Sequence, residues 1–269
     1  MKSDPLSTTI VGCLTNRIDG RFSQMVASLP DSISTIILVD ALEEKLTEAE
    51  WKRLCAPKNI VLIPHSAQIE SFAALRNEML KAAQELDYKW MLFLDSDEIW
   101  KSSEVELRQA IKNAEKQGSN AISCLRSDVF YGRELQHGEA GRQPLPRILS
   151  TSSVTYRGAT HEAISDSTFV LSTELQILHY SHESISQFID VVSQYARRIG
   201  QNNTTNDTST LRTLVELALF PWAKWVYNVV FRLGFLDGWQ GIVYASCMSL
   251  HSLLVRVYRY ERFHTSPHR

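Results

Sequence analysis

Residues 90–98 read WMLFLDSDE. Five apolar residues in unbroken succession run straight into three carboxylates, Asp95, Asp97 and Glu98. A strand covered on one face alternates apolar and polar residues, whereas a strand covered on both faces is a continuous apolar run. Four further runs fit the second pattern: TTIVGCL (8–14), TIILVD (35–40), NIVLIPH (59–65) and AISCLRSDVF (121–130). Helical periodicity occupies about 19–29, 43–55, 69–86 and 103–117 between them. Strand–helix alternation predicts an α/β fold with a mostly parallel sheet flanked by helices. Ligands of such sheets bind beyond the carboxyl ends of the strands. Polar groups stand at those ends: Thr15-Asn16-Arg17 after the first strand, Asp40 after the second, and the acidic cluster after the fourth. Each could instead cap the following helix. Three of them at one rim point to a site.

Asp95 and Asp97 are two residues apart. On an extended strand end they would face the same way and repel each other. A divalent cation relieves that repulsion, and carboxylate oxygens suit Mg²⁺ or Mn²⁺. Such ions keep waters and complete their shell from substrate phosphates, so the cluster points to handling of a nucleoside diphosphate.

Composition sets the outer limits. A chain of 269 residues with 44% hydrophobic and 22% charged residues can bury a substantial core, which excludes disorder and a polytopic membrane protein. The net charge of −2 gives no reason to expect nucleic acid as a partner. The four cysteines have neither zinc nor disulfide spacing and read as reduced, buried thiols. The opening MKSDPLSTTI has no apolar signal-peptide core, so a cytoplasmic location is expected.

Taken together, several segments resemble an inverting glycosyltransferase of family 2 with a GT-A (Rossmann-like) fold. More narrowly, they resemble the branch of bacterial lipopolysaccharide-core β-glucosyltransferases. The segments, in order, are TIVGCLTNR (9–17), IILVD (36–40), FAALRN (72–77), WMLFLDSDE (90–98), FYGR (130–133), Pro146-Arg147, Thr160-His161-Glu162, LHY (178–180) and GFLDG (234–238). Two departures are visible. Ala41-Leu42 follow Asp40 where the branch has small hydroxyl residues, and Glu139 follows Gly138 where it has an aromatic.

The resemblance implies transfer of a sugar from a nucleotide-sugar, a UDP-sugar by family, to a glycan or lipid-linked acceptor. It implies that Asp97, with Asp95 and His179, holds Mg²⁺ or Mn²⁺. Asn16, Asp40, Arg76, Asn77, Asp95 and Arg147 would bind the nucleotide-sugar. Such a reaction needs a base for the acceptor hydroxyl and positive charge on the leaving phosphates. Glu162 is the first candidate for the base, Asp128 the second and Glu98 the third. The Gly/Pro-rich loop after Arg133 reads as a lid.

The remainder is different in kind. A catalytic domain is expected over 1–200, a polar linker over 201–210 (QNNTTNDTST) and a helical region over 211–269. Residues 211–269 hold seven Lys/Arg and three Asp/Glu. Trp222, Trp225, Val226, Val229 and Val230 share helical spacing, with Lys224, Asn228 and Arg232 on the opposite stripe. Basic amphipathic helices with Trp suit an anionic membrane surface, so peripheral binding to the inner face of the cytoplasmic membrane is expected. Two other readings remain. A nucleotidyltransferase would share the sheet, but LTNRIDGRF lacks its Gly-rich loop. A non-catalytic, membrane-associated scaffold with a degenerate transferase fold fits the change after Asp40.

Overall fold

The computed structural model of the chain describes residues 4–15, 18–40, 47, 49–50, 53, 58–64, 71–158, 163–165, 167–180, 182, 184–202 and 210–265. It divides into two compact units. One comprises residues 1–126 and 144–179, and the other 127–143 and 180–269.

The first unit is a mixed α/β layer structure. Its sheet has the order β3-β2-β1-β4-β8-β6-β11-β5. The strands are β1 (Thr9–Cys13), β2 (Thr35–Asp40), β3 (Asn59–Pro64), β4 (Trp90–Phe93), β5 (Glu98–Trp100), β6 (Ala121–Phe130), β8 (Gln143–Ser150) and β11 (Val170–His179). Pairing is parallel from β3 through β4. It is antiparallel where β8 meets β4 and where β11 meets β5. The five apolar runs read from the sequence are all strands of this sheet. Alternate residues of each central strand serve two cores. Val11, Ile36 and Leu92 pack with Phe22 and Met25 of α1 (Gly20–Ser28) and with Leu107 and Ile111 of α3 (Glu104–Gln117). Ile10, Ile37, Met91 and Phe93 pack with Met79 and Leu80 of α2 (Phe72–Glu85). Burial on both faces is why these strands do not alternate in polarity.

Local signals set the helix ends. Asp19, Ser71 and Ser103 accept backbone N–H bonds as N-caps, and Ser103 with Glu106 forms a reciprocal capping box. Gly118 ends α3 at φ 70°, a left-handed conformation that glycine adopts without steric cost. The expected helix over 43–55 falls mostly outside the described residues.

The second unit is helical: α4 (Ile185–Asn202), α5 (Thr210–Val226) and α6 (Gly238–Thr265). A π-turn (Tyr227–Phe231) and a 3₁₀ turn (Gly234–Asp237) join the last two. Its small core sets Phe130 and Leu135 against Phe188 and Val192 of α4 and Cys247 of α6. A short strand, β7 (Arg133–Glu134), pairs with the end of β6. This division departs from the one expected at 200–211. Phe188 and Val192 commit α4 to the helical core, and the loop beyond β6 is bonded to the α5–α6 turn. Residues 203–209 of the expected linker lie outside the described residues, while Gln201, Asn202 and Thr210 are helical.

Candidate functional site

The site of the first unit is built where β4 stops. Leu94 N–H still donates to the Gly12 carbonyl of β1 (3.0 Å), and the chain then turns. Glu98 N–H donates to the Asp95 carbonyl, and Asp95 N–H donates to the Glu98 carboxylate, both at 3.0 Å. Residues 95–98 are thus a closed turn. At this turn Asp95 and Asp97 have different nearest partners.

Asp95 faces guanidiniums. Arg147 Nη2 on β8 is 3.3 Å from its carboxylate, and Arg76 Nη2 on α2 is 3.8 Å away. Burial alone would raise the Asp95 pKa, but the positive charges of Arg147, Arg76 and His179 outweigh it and hold the carboxyl below its ordinary value. Asp97 instead faces His179, whose Nε2 lies 3.5 Å from Oδ2. Pairing of β11 with β5 sets His179 opposite Glu98, which brings the imidazole to the turn. Thr15, just past β1, donates its hydroxyl to Ser96 at 3.3 Å.

Glu98 has no exposed side-chain surface. It forms an ion pair with Arg147, and Arg126 Nη1 of β6 lies 3.6 Å away. Burial raises its pKa. Arg147 opposes that rise and the Asp95 charge adds to it, leaving the carboxyl above its ordinary value. A carboxylate enclosed by protein in this way cannot reach an acceptor hydroxyl, so Glu98 is a structural counter-ion rather than the third candidate base. Three carboxylates and three guanidiniums therefore converge at this turn, with His179 beside them. The Nε of Arg147 is buried with no hydrogen-bond partner among the described residues.

Arg76 and Asn77 divide their work. The Arg76 guanidinium lies 5.3 Å from the ring centres of both Phe93 and Tyr156. Those contacts hold it beside Asp95. Asn77 donates to the Tyr156 carbonyl (3.0 Å) and accepts from the Tyr156 N–H (2.8 Å). Both ends of its amide are engaged, so here it clamps β9 (Tyr156–Arg157) instead of presenting a free group to a nucleotide. Asn16, His161 and Glu162 lie outside the described residues, as does the side chain of Asp40, although its backbone ends β2 in register with Pro64.

Sequence reading missed two residues of this site, Arg126 and Tyr156. Arg126 carried a usable signal, because a charge inside the apolar run of β6 requires a buried partner. Tyr156 carried none, since its contribution is largely its backbone and ring.

Asp128 belongs to the second unit. It is 5% exposed and accepts the Tyr244 hydroxyl of α6 at 2.6 Å. The loop after Arg133, read as a lid, is tied to the α5–α6 turn. His137 Nδ1 is 3.0 Å from Asp237, whose carboxylate also accepts the Gln136 and His137 N–H groups. Gly138 N–H donates to the Arg232 carbonyl, and Glu139 pairs with Lys224 at 3.1 Å. A loop held by this many bonds is a fixed part of its unit.

Cys13, Cys124 and Cys247 are free and buried. Burial, with the Asp95 and Glu98 charges, pushes the Cys13 thiol well up, and burial pushes Cys124 to about 12. Neither forms a thiolate near neutrality, so neither is a nucleophile or metal ligand. A cleft of about 590 Å³ opens in the first unit, lined by Trp90, Ser119, Asn120 and Ser150. It lies at the start of β4, the end away from the acidic turn.

Among the described residues, no group of three or more His, Cys, Asp and Glu side chains is arranged to hold a metal. The Asp97–His179 pair offers two donors.

No family model and no curated protein matches the chain. Among solved structures it is similar to crystal structures of S. aureus TarS 1–349. The identity is 14% over 97% of this chain and 93% of that one, with a TM-score of 0.45. The same values hold for the TarS structure in complex with UDP-GlcNAc. The complex with UDP gives 13% and 0.43 over the same shares. At that identity and score the likeness says nothing about this chain's substrates.

Proposed function

We propose that the protein is an inverting glycosyltransferase of GT-A type that moves a sugar from a UDP-sugar to a glycan or lipid-linked acceptor in cell-envelope polysaccharide synthesis. One observation carries the reading. At the carboxyl end of a central strand, Asp95, Asp97 and Glu98 converge with Arg76, Arg126, Arg147 and His179. Such a mixed cluster suits a diphosphate: the guanidiniums attract it, and the carboxylates keep the site from being a plain anion trap.

Asp97 and His179 would hold Mg²⁺ or Mn²⁺. The cation, when bound, would neutralise charge on the leaving diphosphate. Asp95, poised as an anion by Arg147 and Arg76, is available to ribose hydroxyls or to the cation. Arg147 is itself held by Glu98, which fixes the direction of its remaining donors. The Asn77 clamp on β9 steadies Tyr156, and Tyr156 steadies Arg76. Asn16 and Asp40 complete the nucleoside side in this reading. The acceptor hydroxyl attacks the anomeric carbon in line and loses its proton to a carboxylate, Glu162 or Asp128.

Thermal unfolding with Mn²⁺ and a panel of nucleoside diphosphates tests this. A ligand at about a hundred times its Kd adds about 2.7 kcal/mol. That is a rise of roughly 5–10 °C for a chain of this size. The expected result is a metal-dependent rise with UDP that Asp97→Ala abolishes while remaining folded. No rise with any nucleotide would refute the function. A metal-dependent rise that persists in Asp97→Ala would refute the metal assignment.

A further inference from the structure

The ten-residue strand β11 is covered along only part of its outer edge. There β5 pairs with Ile177–His179 alone. The chain then leaves the sheet, because the Ser103 cap starts α3 directly after β5. On the way out, Lys101 N–H donates to the Gln176 carbonyl (3.0 Å), and Gln176 N–H donates to Ser102 Oγ (2.9 Å). Backbone groups of a strand alternate in direction, so Val170, Ser172 and Glu174 point their N–H and C=O the same way as Gln176. Among the described residues, no strand pairs with these three on that side.

A groove of about 460 Å³ runs beside this edge. Its walls are α3, through Val105, Gln109, Ala110 and Asn113, and β11 from Leu171 to Leu175. Residues 105–113 cover about 12 Å of helix, and 171–175 about 13 Å of strand, so the walls have comparable lengths. Odd-numbered residues of β11 face α3: Leu175 and Ile177 lie in the core with Leu107 and Ile111, and Leu171 packs against it. Even-numbered Ser172 and Glu174 are exposed. Val105, 71% exposed, gives the groove an apolar position. The charged residues of the lining are Glu106 and Glu174, both acidic.

We infer that this groove is a docking site for an extended, basic polypeptide segment of a partner protein, which adds a strand to β11. An extended backbone matches the alternating N–H and C=O groups of the edge, and its side chains supply specificity. Period two sets one row of those side chains against Val105 and Ala110 and the other beside Glu174. The first row is apolar and the second basic. A second copy of this chain is the poorer occupant, because twofold pairing of two β11 edges brings one acidic lining against another.

A labelled hexapeptide of alternating valine and lysine, added to the full chain, tests this by fluorescence anisotropy and amide hydrogen exchange. The expected result is binding that slows exchange at the N–H groups of Val170, Ser172 and Glu174. Methylating one alternate set of peptide nitrogens should weaken binding at least about tenfold, because main-chain bonds are lost, and methylating the other set should leave it unchanged. Glu174→Lys should weaken it about fivefold while circular dichroism stays unchanged, because a like charge then stands opposite lysine. Unaltered exchange at those three N–H groups would overturn the inference. Equal weakening by both methylated peptides would do the same, because the contact would then be charge alone. So would a dimer in the ultracentrifuge that itself protects the three N–H groups, because a second copy would then fill the groove.

Discussion

Arg147→Met should destabilise the sheet unit by an amount that depends on pH. The substitution keeps much of the side-chain volume but leaves Glu98 as a buried carboxylate with reduced compensation. Removing one partner of a buried ion pair costs about 3–5 kcal/mol. Here Arg126 remains at 3.6 Å and the Asp95 N–H still donates, so the low end applies, about 3 kcal/mol. For a chain of this size that is a fall in Tm of roughly 6–12 °C near neutral pH. Glu98 already has a folded pKa above its ordinary 4.5, chiefly through burial, and loss of Arg147 raises it further. A carboxyl whose folded pKa is raised binds its proton more readily in the folded chain. Its penalty is therefore full above the folded pKa and is relieved as pH falls through that value towards the unfolded one. Melting curves at a series of pH values should show the gap between variant and wild type narrowing in acid. Adding Glu98→Leu should recover most of the loss, because an apolar pair replaces the ionic one. A drop below about 1 kcal/mol, a gap independent of pH, or a double variant no more stable than the single would refute the argument that Glu98 is held ionised by Arg147.

Asn77→Ala removes both bonds to the Tyr156 backbone and should cost about 1–3 kcal/mol in urea unfolding. Its effect on nucleotide affinity should exceed that of a surface change, because Arg76 loses its support. Glu162→Gln and Asp128→Asn separate the candidate bases. The true base should lose about a hundredfold or more in kcat with little change in nucleotide binding, and the other should stay near wild type in a single-turnover transfer assay.

The parallel half of the sheet was legible because a strand buried on both faces leaves an unbroken apolar run, and its four strands, β1 to β4, each contain one. The strand-end rule then located the acidic turn without reference to any one residue. What could not be read was its geometry. Residues 95–98 fold back on their own hydrogen bonds, and the nearest partners of Asp95 (Arg147 and Arg76) and of Asp97 (His179) come from other elements. Glu98 had the sequence position of a candidate base and the environment of a counter-ion. Only the approach of Arg147 and Arg126 from β8 and β6 distinguishes the two, and those strands lie far away in sequence. Asn77 looked like a ligand group for the same reason: its partner is the backbone of Tyr156, which has no sequence signature.

The helical unit shows what period alone leaves open. Periodicity identified an apolar stripe and a polar stripe on α5, with the apolar one expected to lie along a membrane surface. In the structure the apolar stripe is divided, with Trp222 and Val230 exposed and Val229 buried, while Lys224 and Asn228 of the polar stripe turn to partners elsewhere in the unit. Glu139, in the loop after β7, draws in Lys224 and Asn228. Glu216 gathers arginines from both helices. The π-turn at Tyr227–Phe231 then shifts the phase, so Val229 is buried while Val230 is half exposed. A helical wheel drawn through Val226 cannot reproduce that. Hydrophobic period measures the division of a helix into faces, and the assignment of those faces to inside and outside depends on the surrounding medium.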